Sequence, residues 1–192
     1  MTTHLTMIAG LGNPEERYAK TLHNAGFWFV DEMARRAGAS FKYEKRFDAD
    51  ICKIDIDGKD VWLVKPQSYM NLSGGPIRGM LDYYRLSVDQ LLVAHDEIDL
   101  EPGVVKLKKG GGHGGHNGLR DTIRHCGSDF LRLRLGVGHP GHKDQVTNYV
   151  LKKASPDVEV AILRNVDDAA DVMPLMVQDG LNAAMKKLHT KD

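Results

Sequence analysis

This sequence has few cysteines, no net charge and no long apolar run. Its two cysteines, Cys52 and Cys126, lie far apart and outside any C-x-x-C, which argues against a disulfide framework and a zinc ribbon. No apolar run reaches the roughly 18 residues of a membrane span, and no basic segment followed by an apolar stretch and a small-residue cleavage site stands at the N-terminus. We therefore expect a soluble, unprocessed protein of the reducing cytosol with no membrane partner.

Charge is balanced overall but unevenly distributed along the chain. Lys and Arg number 26, as do Asp and Glu, so no global cationic field indicates a nucleic-acid partner. Residues 101–143, however, hold eight basic against three acidic residues, whereas residues 155–179 hold six acidic residues and one basic residue. The middle of the chain is therefore the part that can meet phosphate.

The hydrophobic pattern predicts strands that alternate with helices. Apolar runs over 5–11, 61–64 and 91–94 are typical of strands buried on both faces. Apolar residues at helical spacing follow these runs and predict three helices. The first begins after Asn24 as its N-cap and ends at Gly38, the second spans about 76–84, and the third spans 117–126. With 192 residues and no linker-like segment, we expect one domain over residues 1–192.

Three further segments complete the predicted fold. Residues 47–56 indicate antiparallel strands at one edge of the sheet. Apolar residues then alternate with Lys106 and Lys108, and again with Arg132 and Arg134, which places both basic pairs outward on one face. A C-terminal helical segment starts at Ser155, should kink or end at Pro174, and is followed by an amphipathic tail over 181–188. The expected class is α/β, a mixed, largely parallel twisted sheet with helices on both faces.

Polar residues follow the predicted parallel strands, where ligands bind in such sheets. Asn13, Asn71 and Asp96 each follow one strand, and His23 lies in the loop that leads into the first helix. A histidine oriented by a carboxylate and flanked by amides can deprotonate water and stabilise an oxyanion. Simpler roles are also open: a turn for Asn13, helix capping for Asn117, and a local hydrogen bond for His23.

A glycine-rich loop with six glycines in residues 110–118 precedes the third helix. Such a loop before a helix N-terminus is typical of anion binding, although a mobile loop without a ligand is the alternative. It is not a P-loop, and Gly10-Leu11-Gly12 lacks the third glycine of a dinucleotide fingerprint, so ATP and NAD are disfavoured.

A metal site is a weaker possibility at the same edge. His95, Asp96, His113 and His116 could be assembled into one, but their spacing fixes no third ligand and matches no zincin helix. We therefore predict neither a metal nor another cofactor.

These residues resemble the bacterial-type peptidyl-tRNA hydrolases. The matching stretches occur in the order of that family over residues 8–151. They are Gly10-Leu11-Gly12-Asn13-Pro14, Tyr18 with His23-Asn24, Lys65 to Gly74, His95 to Leu100, Gly110 to Leu119, Arg132-Leu133-Arg134 and His139-Pro140-Gly141.

The resemblance implies hydrolysis of the ester that joins a peptide to the 3′ ribose of tRNA. By the pattern of the family, His23 is the general base and Asp96 orients it, while Asn71 and Asn117 position water, substrate and oxyanion. The family pattern also implies a substrate-binding set with two parts. Asn13 and Met70 hold the peptide side, with Tyr18 and His116 beside them. Lys108 and Arg134 form a clamp for the tRNA 5′ phosphate, and Lys106 lies on the same face as Lys108. Residues 139–150 resemble the mobile lid of the family, and the family needs no metal.

Two other classes of function remain open. One is an RNA-binding module without hydrolysis, although binding alone requires neither His23 nor Asp96. The other is a metal-assisted hydrolase, which metal content would identify. A monomer is the default expectation for the oligomeric state.

Overall fold

A mixed sheet of seven strands, in the order β2-β3-β4-β1-β5-β7-β6, organises the molecule. The structure is a computed structural model and describes residues 4–190. The strands are β1 Met7–Gly10, β2 Lys42–Glu44, β3 Ala49–Ile56, β4 Lys59–Pro66, β5 Leu91–Glu97, β6 Val105–Lys109 and β7 Leu131–Gly136. The four central strands β4, β1, β5 and β7 run parallel, whereas β2 and β3 at one edge and β6 at the other pair antiparallel. The predicted sheet is confirmed.

Helices cover both faces of this sheet, as predicted. They are α1 Ala25–Arg36, α2 Gly74–Tyr83, α3 Asn117–Cys126, α4 Val146–Val150, α5 Pro156–Asp179 and α6 Leu181–His189. Buried residues of α1, α5 and α6 form one core with Ile8, Leu92 and Leu133, whereas those of α2 and α3 form a second core with Ala9 and Val93. Consecutive residues of the central strands thus face opposite cores, which is why these strands read as continuous apolar runs. Within residues 4–190, no helix has both the length and the hydropathy of a membrane span.

The structure refines two local predictions about the helices, that Pro174 kinks or ends its helix and that Asn24 is the N-cap of the first one. Pro174 does not end α5, which continues to Asp179, because Met173, Met176 and Val177 are buried against the core on both sides of the proline. Asn24 holds the N-cap position of α1, yet its side chain makes no capping bond. The side-chain amide of Asn24 instead forms two hydrogen bonds with the backbone of Asn13. Its Oδ1 accepts from the Asn13 N–H at 2.8 Å, and its Nδ2 donates to the Asn13 carbonyl oxygen at 3.0 Å.

Close packing of two glycines brings the start of α1 onto the ends of β1 and β5. A Cβ atom added at Gly26 would lie 2.3 Å from the carbonyl oxygen of Ala94 and 2.7 Å from the nitrogen of Leu11. A Cβ atom added at Gly10 would lie 2.3 Å from the carbonyl oxygen of Gly26. Only glycine permits this approach, and it brings His23, just before α1, to the end of β5 where Asp96 lies.

Candidate active site

A cavity of about 350 Å³ opens at the carboxyl ends of the parallel strands. It gathers all eight residues that the sequence placed at the reaction centre and on the peptide side. They are Asn13, Tyr18, His23, Met70, Asn71, Asp96, His116 and Asn117. Tyr69, Glu97, Ile98 and residues of the segment around α4 complete its lining.

Asp96 at the end of β5 lies at the centre of this cavity. His23 Nδ1 is 2.8 Å from Asp96 Oδ2, and the two side chains are 12% and 1% exposed. Because the carboxylate can only accept, Nδ1 carries the proton of the neutral imidazole. The other nitrogen, Nε2, therefore holds the lone pair that a general base needs.

His116 occupies the second oxygen of the same carboxylate. Its Nε2 is 2.8 Å from Asp96 Oδ1, and its Nδ1 accepts the Leu119 backbone N–H at 3.2 Å, which caps α3. Because that N–H can only donate, the proton of the ring must be on Nε2, and His116 is held as one tautomer. Asn117 is thus the first residue of α3 and not its cap, so the capping role considered for it is wrong.

Burial and hydrogen bonding shift the pKa values of this cluster in opposite directions. For His23, burial lowers the pKa, but the charge of Asp96 and the bond to it outweigh burial and raise the pKa above 6.5. For Asp96, burial raises the pKa, but His23 and His116 outweigh it and hold the carboxyl pKa well below its usual range. Asp96 is therefore ionised at neutral pH and favours a protonated His23.

Amide groups frame the cavity around these histidines. Asn13 is fixed by Asn24 on its backbone, and its Oδ1 accepts the Met70 backbone N–H at 3.1 Å. Asn117 Oδ1 accepts from Arg120 Nη1 at 3.2 Å, which leaves its amide N–H groups without a partner among residues 4–190. Asn71 follows Met70 and is exposed on the cavity wall. Asn13 thus ties two loops together, whereas Asn71 and Asn117 offer donors to a ligand.

A second cavity of about 190 Å³ adjoins the first and shares Glu97 and Gly114 with it. Three cationic side chains, Lys108, Arg132 and Arg134, line it together with His95, Asp99 and His113. Arg134 Nε donates to Glu97 Oε1 at 2.9 Å. Lys106 is exposed on the same strand as Lys108 but lines neither cavity.

Comparison with known proteins relates this geometry to a family. The family model described as Peptidyl-tRNA hydrolase matches residues 7–192. The chain belongs to the peptidyl-tRNA hydrolase family. It is 52% identical over 187 residues to the enzyme of that name from Halorhodospira halophila, covering 97% of this chain and 96% of the relative. A relative of the same name from Stenotrophomonas maltophilia is 51% identical over 187 residues and is covered to 97%.

Solved structures of the same family share the whole fold. The crystal structure of peptidyl-tRNA hydrolase from Acinetobacter baumannii superposes with a TM-score of 0.97 at 42% identity, covering 100% of this chain and 98% of that one. The chain is therefore an enzyme of the hydrolase class with the peptidyl-tRNA hydrolase fold.

Arg132 departs from the prediction that both basic pairs point outward. It is only 3% exposed, because the glycine-rich loop covers it. Its guanidinium donates to the carbonyl oxygens of Gly111, Gly112 and Ser128, and lies 4.4 Å from the centroid of the Phe130 ring. The loop thus turns the carbonyl groups of Gly111 and Gly112 toward a cation, while the anion binding that its glycines predict stays a prediction.

The metal-binding set considered from the sequence does not form. His113 Nδ1 accepts the Gly115 N–H, and His95 Nδ1 lies 2.8 Å from the Asp96 main-chain oxygen, both away from the Asp96 carboxylate. The potential ligand atoms that do converge within 4.8 Å belong to His23, Asp96 and His116. There each histidine already forms a hydrogen bond with the carboxylate, so an ion would have to displace both bonds.

The segment compared with a lid lies over the first cavity. Val146, Thr147 and Val150 of α4 line it. Tyr149 fastens this segment, since its hydroxyl donates to the carbonyl of Val137 at 2.6 Å. The mobility of residues 139–150 remains a prediction.

Three functional contacts were missed in the sequence. They are the bond of His116 to Asp96, the pairing of Glu97 with Arg134, and the bracing of Asn13 by Asn24. The position of His116 directly before a helix was a signal for capping, and Glu97 directly after Asp96 at a strand end was a signal for a site residue.

Proposed function

We propose that the chain hydrolyses the ester between peptide and tRNA by direct attack of water, with His23 as general base. The observation that carries this proposal is the His23 ring, which lines the cavity, whose Nδ1 is bound to buried Asp96 and whose Nε2 has no hydrogen-bond partner among the described residues 4–190. We further propose that the protein acts as a single domain and a monomer in the cytoplasm.

In the first step, Nε2 of His23 takes a proton from water as the oxygen attacks the ester carbonyl. Asp96 stabilises the resulting imidazolium, in agreement with the raised pKa of His23. The amide N–H groups of Asn117 and Asn71 stabilise the oxyanion of the tetrahedral intermediate. Collapse breaks the bond to the ribose oxygen, which takes the proton back from His23. Because the ester is already activated, this chemistry needs no serine or cysteine nucleophile.

Substrate binding divides between the two cavities. Asn13, Tyr18, Met70 and His116 line the first one on the peptide side. In the second one, Lys108 and Arg134 bind the 5′ phosphate, and Arg134 can do so through its Nη groups while its Nε keeps the bond to Glu97. Exposed Lys106 adds positive charge beside this clamp.

The function is tested with an N-acetylated aminoacyl-tRNA, in the presence and absence of a chelator. We expect hydrolysis at the same rate in both samples, because the proposed mechanism uses only side chains. Loss of activity with the chelator would instead support the metal-assisted hydrolase. Binding of the tRNA without hydrolysis would support the RNA-binding module.

The pH dependence of the reaction follows from His23. The base must be neutral, so kcat/KM falls as the pH drops below the pKa of His23, by up to about tenfold per pH unit. Because that pKa is raised, the midpoint of this fall is expected above pH 6.5. A profile of kcat/KM against pH measures it, and a midpoint below 6.5 would contradict the role of Asp96 as the partner of the base.

The clamp is tested by Lys108→Ala and Arg134→Ala. Each should weaken binding of the tRNA substrate by about tenfold or more and reduce the slope of log K against log salt by about 1. Hydrolysis of a small aminoacyl ester without phosphate should not change. Lys109→Ala is the matched control, because Lys109 is the neighbour of Lys108 on β6 but lines neither of the two cavities. Its Nζ lies 3.8 Å from Asp89 Oδ1. Equal losses on both substrates would refute the clamp.

A further inference from the structure

His95 is a buried histidine that the proposed mechanism does not use. It is 2% exposed, and its Nε2 has no hydrogen-bond partner among residues 4–190. The residue lines the second cavity, beside the three cations. A buried polar atom without a partner is costly, and this one belongs to a residue that lines a cavity, which favours a function in binding.

The other ring nitrogen determines what this atom offers. His95 Nδ1 lies 2.8 Å from the main-chain oxygen of Asp96, which can only accept, so Nδ1 carries the proton of the neutral ring. Nε2 is then a buried lone pair on a residue that lines the second cavity together with three cations, Lys108, Arg132 and Arg134, and two carboxylates, Glu97 and Asp99. A fully ionised phosphate also has only acceptors, so it cannot bond to Nε2 without a further proton.

We propose that His95 is a phosphate-binding residue that holds one proton between its Nε2 and an oxygen of the substrate phosphate. This proposal rests on the proposed function, which brings a terminal phosphate into the second cavity. The proton comes from the solvent on binding, so that binding of the phosphate takes up one proton. No covalent bond is formed or broken.

The charged surroundings of His95 agree with an uptake that depends on the ligand. The groups around it are Asp96 and Glu97 on its own strand, Asp99 after it, His113 and His116 from the glycine-rich loop, Lys108 on β6, and Arg132 and Arg134 on β7. Burial, and next the neighbouring His116, lower the pKa of His95 to about 4, so the ring is neutral near pH 7 before the ligand binds. A bound phosphate offsets the cations and favours the protonated ring.

The same ring also contacts the reaction centre. Its Nδ1 bonds the main chain of Asp96, and its centroid lies 5.3 Å from that of His116. His95 thus lines the second cavity and also contacts two residues of the reaction centre, the main chain of Asp96 and the ring of His116.

Calorimetry with two RNA hairpins tests the proposal on the wild-type protein. The hairpins mimic the acceptor end and differ only in a 5′ phosphate or a 5′ hydroxyl. Binding is measured near pH 7 in two buffers of different ionisation enthalpy, which gives the number of protons taken up. We expect close to one extra proton for the phosphorylated hairpin, and up to about tenfold tighter binding for each pH unit lowered. A phosphate held by cations alone would take up none, or release protons near its second pKa of about 6, and either result would overturn the proposal.

Two variants assign the proton to His95. His95→Gln keeps a polar group near the position of Nε2 but cannot titrate, and it should abolish the extra uptake. His113→Gln is the matched control from the same cavity and should retain it. Persistence of the uptake in His95→Gln would overturn the assignment. If that variant does not fold, loss of the uptake in His113→Gln would also overturn it, since the proton would then belong to His113.

Failure of this proposal can be told apart from failure of the proposed function. Hydrolysis of N-acetylated aminoacyl-tRNA is measured on the same wild-type sample. Absence of hydrolysis would refute the proposed function, whereas the proton count depends only on binding of the hairpin.

Discussion

Replacing His23 with alanine lowers kcat/KM for a blocked aminoacyl-tRNA by about 10²- to 10⁴-fold, the usual contribution of a general base. The side chain lines the cavity and makes its hydrogen bond to Asp96, while the cores on both sheet faces are built without it. The variant should therefore fold. The loss should appear in kcat, because the phosphate clamp lies in the other cavity.

The matched control is His125→Ala, which removes a histidine of α3 that lines neither cavity. Its turnover should equal that of the wild type. Circular dichroism and thermal unfolding show whether both variants are folded. Added imidazole should restore part of the activity of His23→Ala, because a free base can occupy the space left by the ring. Normal turnover of folded His23→Ala would end the assignment of the base.

The core of the fold was predictable because burial on both faces leaves a direct pattern in the sequence. The runs at β1, β4 and β5 are apolar at successive positions, and the helices between them carry apolar residues at helical spacing. Whether Pro174 would kink its helix or end it could not be decided from the local sequence. The loss of one backbone hydrogen bond is a local cost, whereas the packing that offsets it comes from distant strands.

Part of the first cavity was also predictable, since the carboxyl ends of parallel strands meet at one edge and thus bring Asn13, Asn71 and Asp96 together. Tyr18, Met70 and His116 were expected there only from the resemblance to the family. What the sequence could not show is how the polar atoms of this cavity are paired. His116 was placed on the peptide side, yet it shares Asp96 with His23 because the start of α3 turns its ring toward the carboxylate. Arg132 was placed on the outer face by its alternation, and only the path of the glycine-rich loop shows that it is covered.

Because Asp96 accepts hydrogen bonds from both His23 and His116, even the conservative substitution Asp96→Asn should lower kcat severely. In Asp96→Asn one acceptor oxygen remains for two histidines. The proton on His116 is fixed at Nε2 by the Leu119 N–H, so the asparagine oxygen must turn toward His116. The amide NH₂ group then faces His23 Nδ1, which has to accept, and the proton of His23 moves to Nε2. The base is blocked, and we expect a fall in kcat of about 10⁴-fold, the size of the same exchange in a Ser-His-Asp triad.

Asp121→Asn is the matched control for this change. Asp121 is also a buried carboxylate, it accepts the Gly74 N–H at 2.8 Å and lies near His125, but it lines neither cavity. It should lose some stability and keep its kcat.

A double variant separates the blocked tautomer from a simple loss of negative charge. Removing His116 frees the orientation of the asparagine, so its oxygen can accept from His23 Nδ1 and the lone pair returns to Nε2. Asp96→Asn combined with His116→Ala should therefore be more active than Asp96→Asn alone, although the lost helix cap costs about 1 kcal/mol of stability. Single-turnover rates of the two proteins, both checked for folding, decide the point. Because His116 also lines the peptide side of the first cavity, each rate is taken at saturating substrate and compared with that of the protein that keeps Asp96 in the same background. If Asp96→Asn costs as much in the His116→Ala background as in the wild type, the charge of Asp96 and not its control of the tautomer is what the reaction requires.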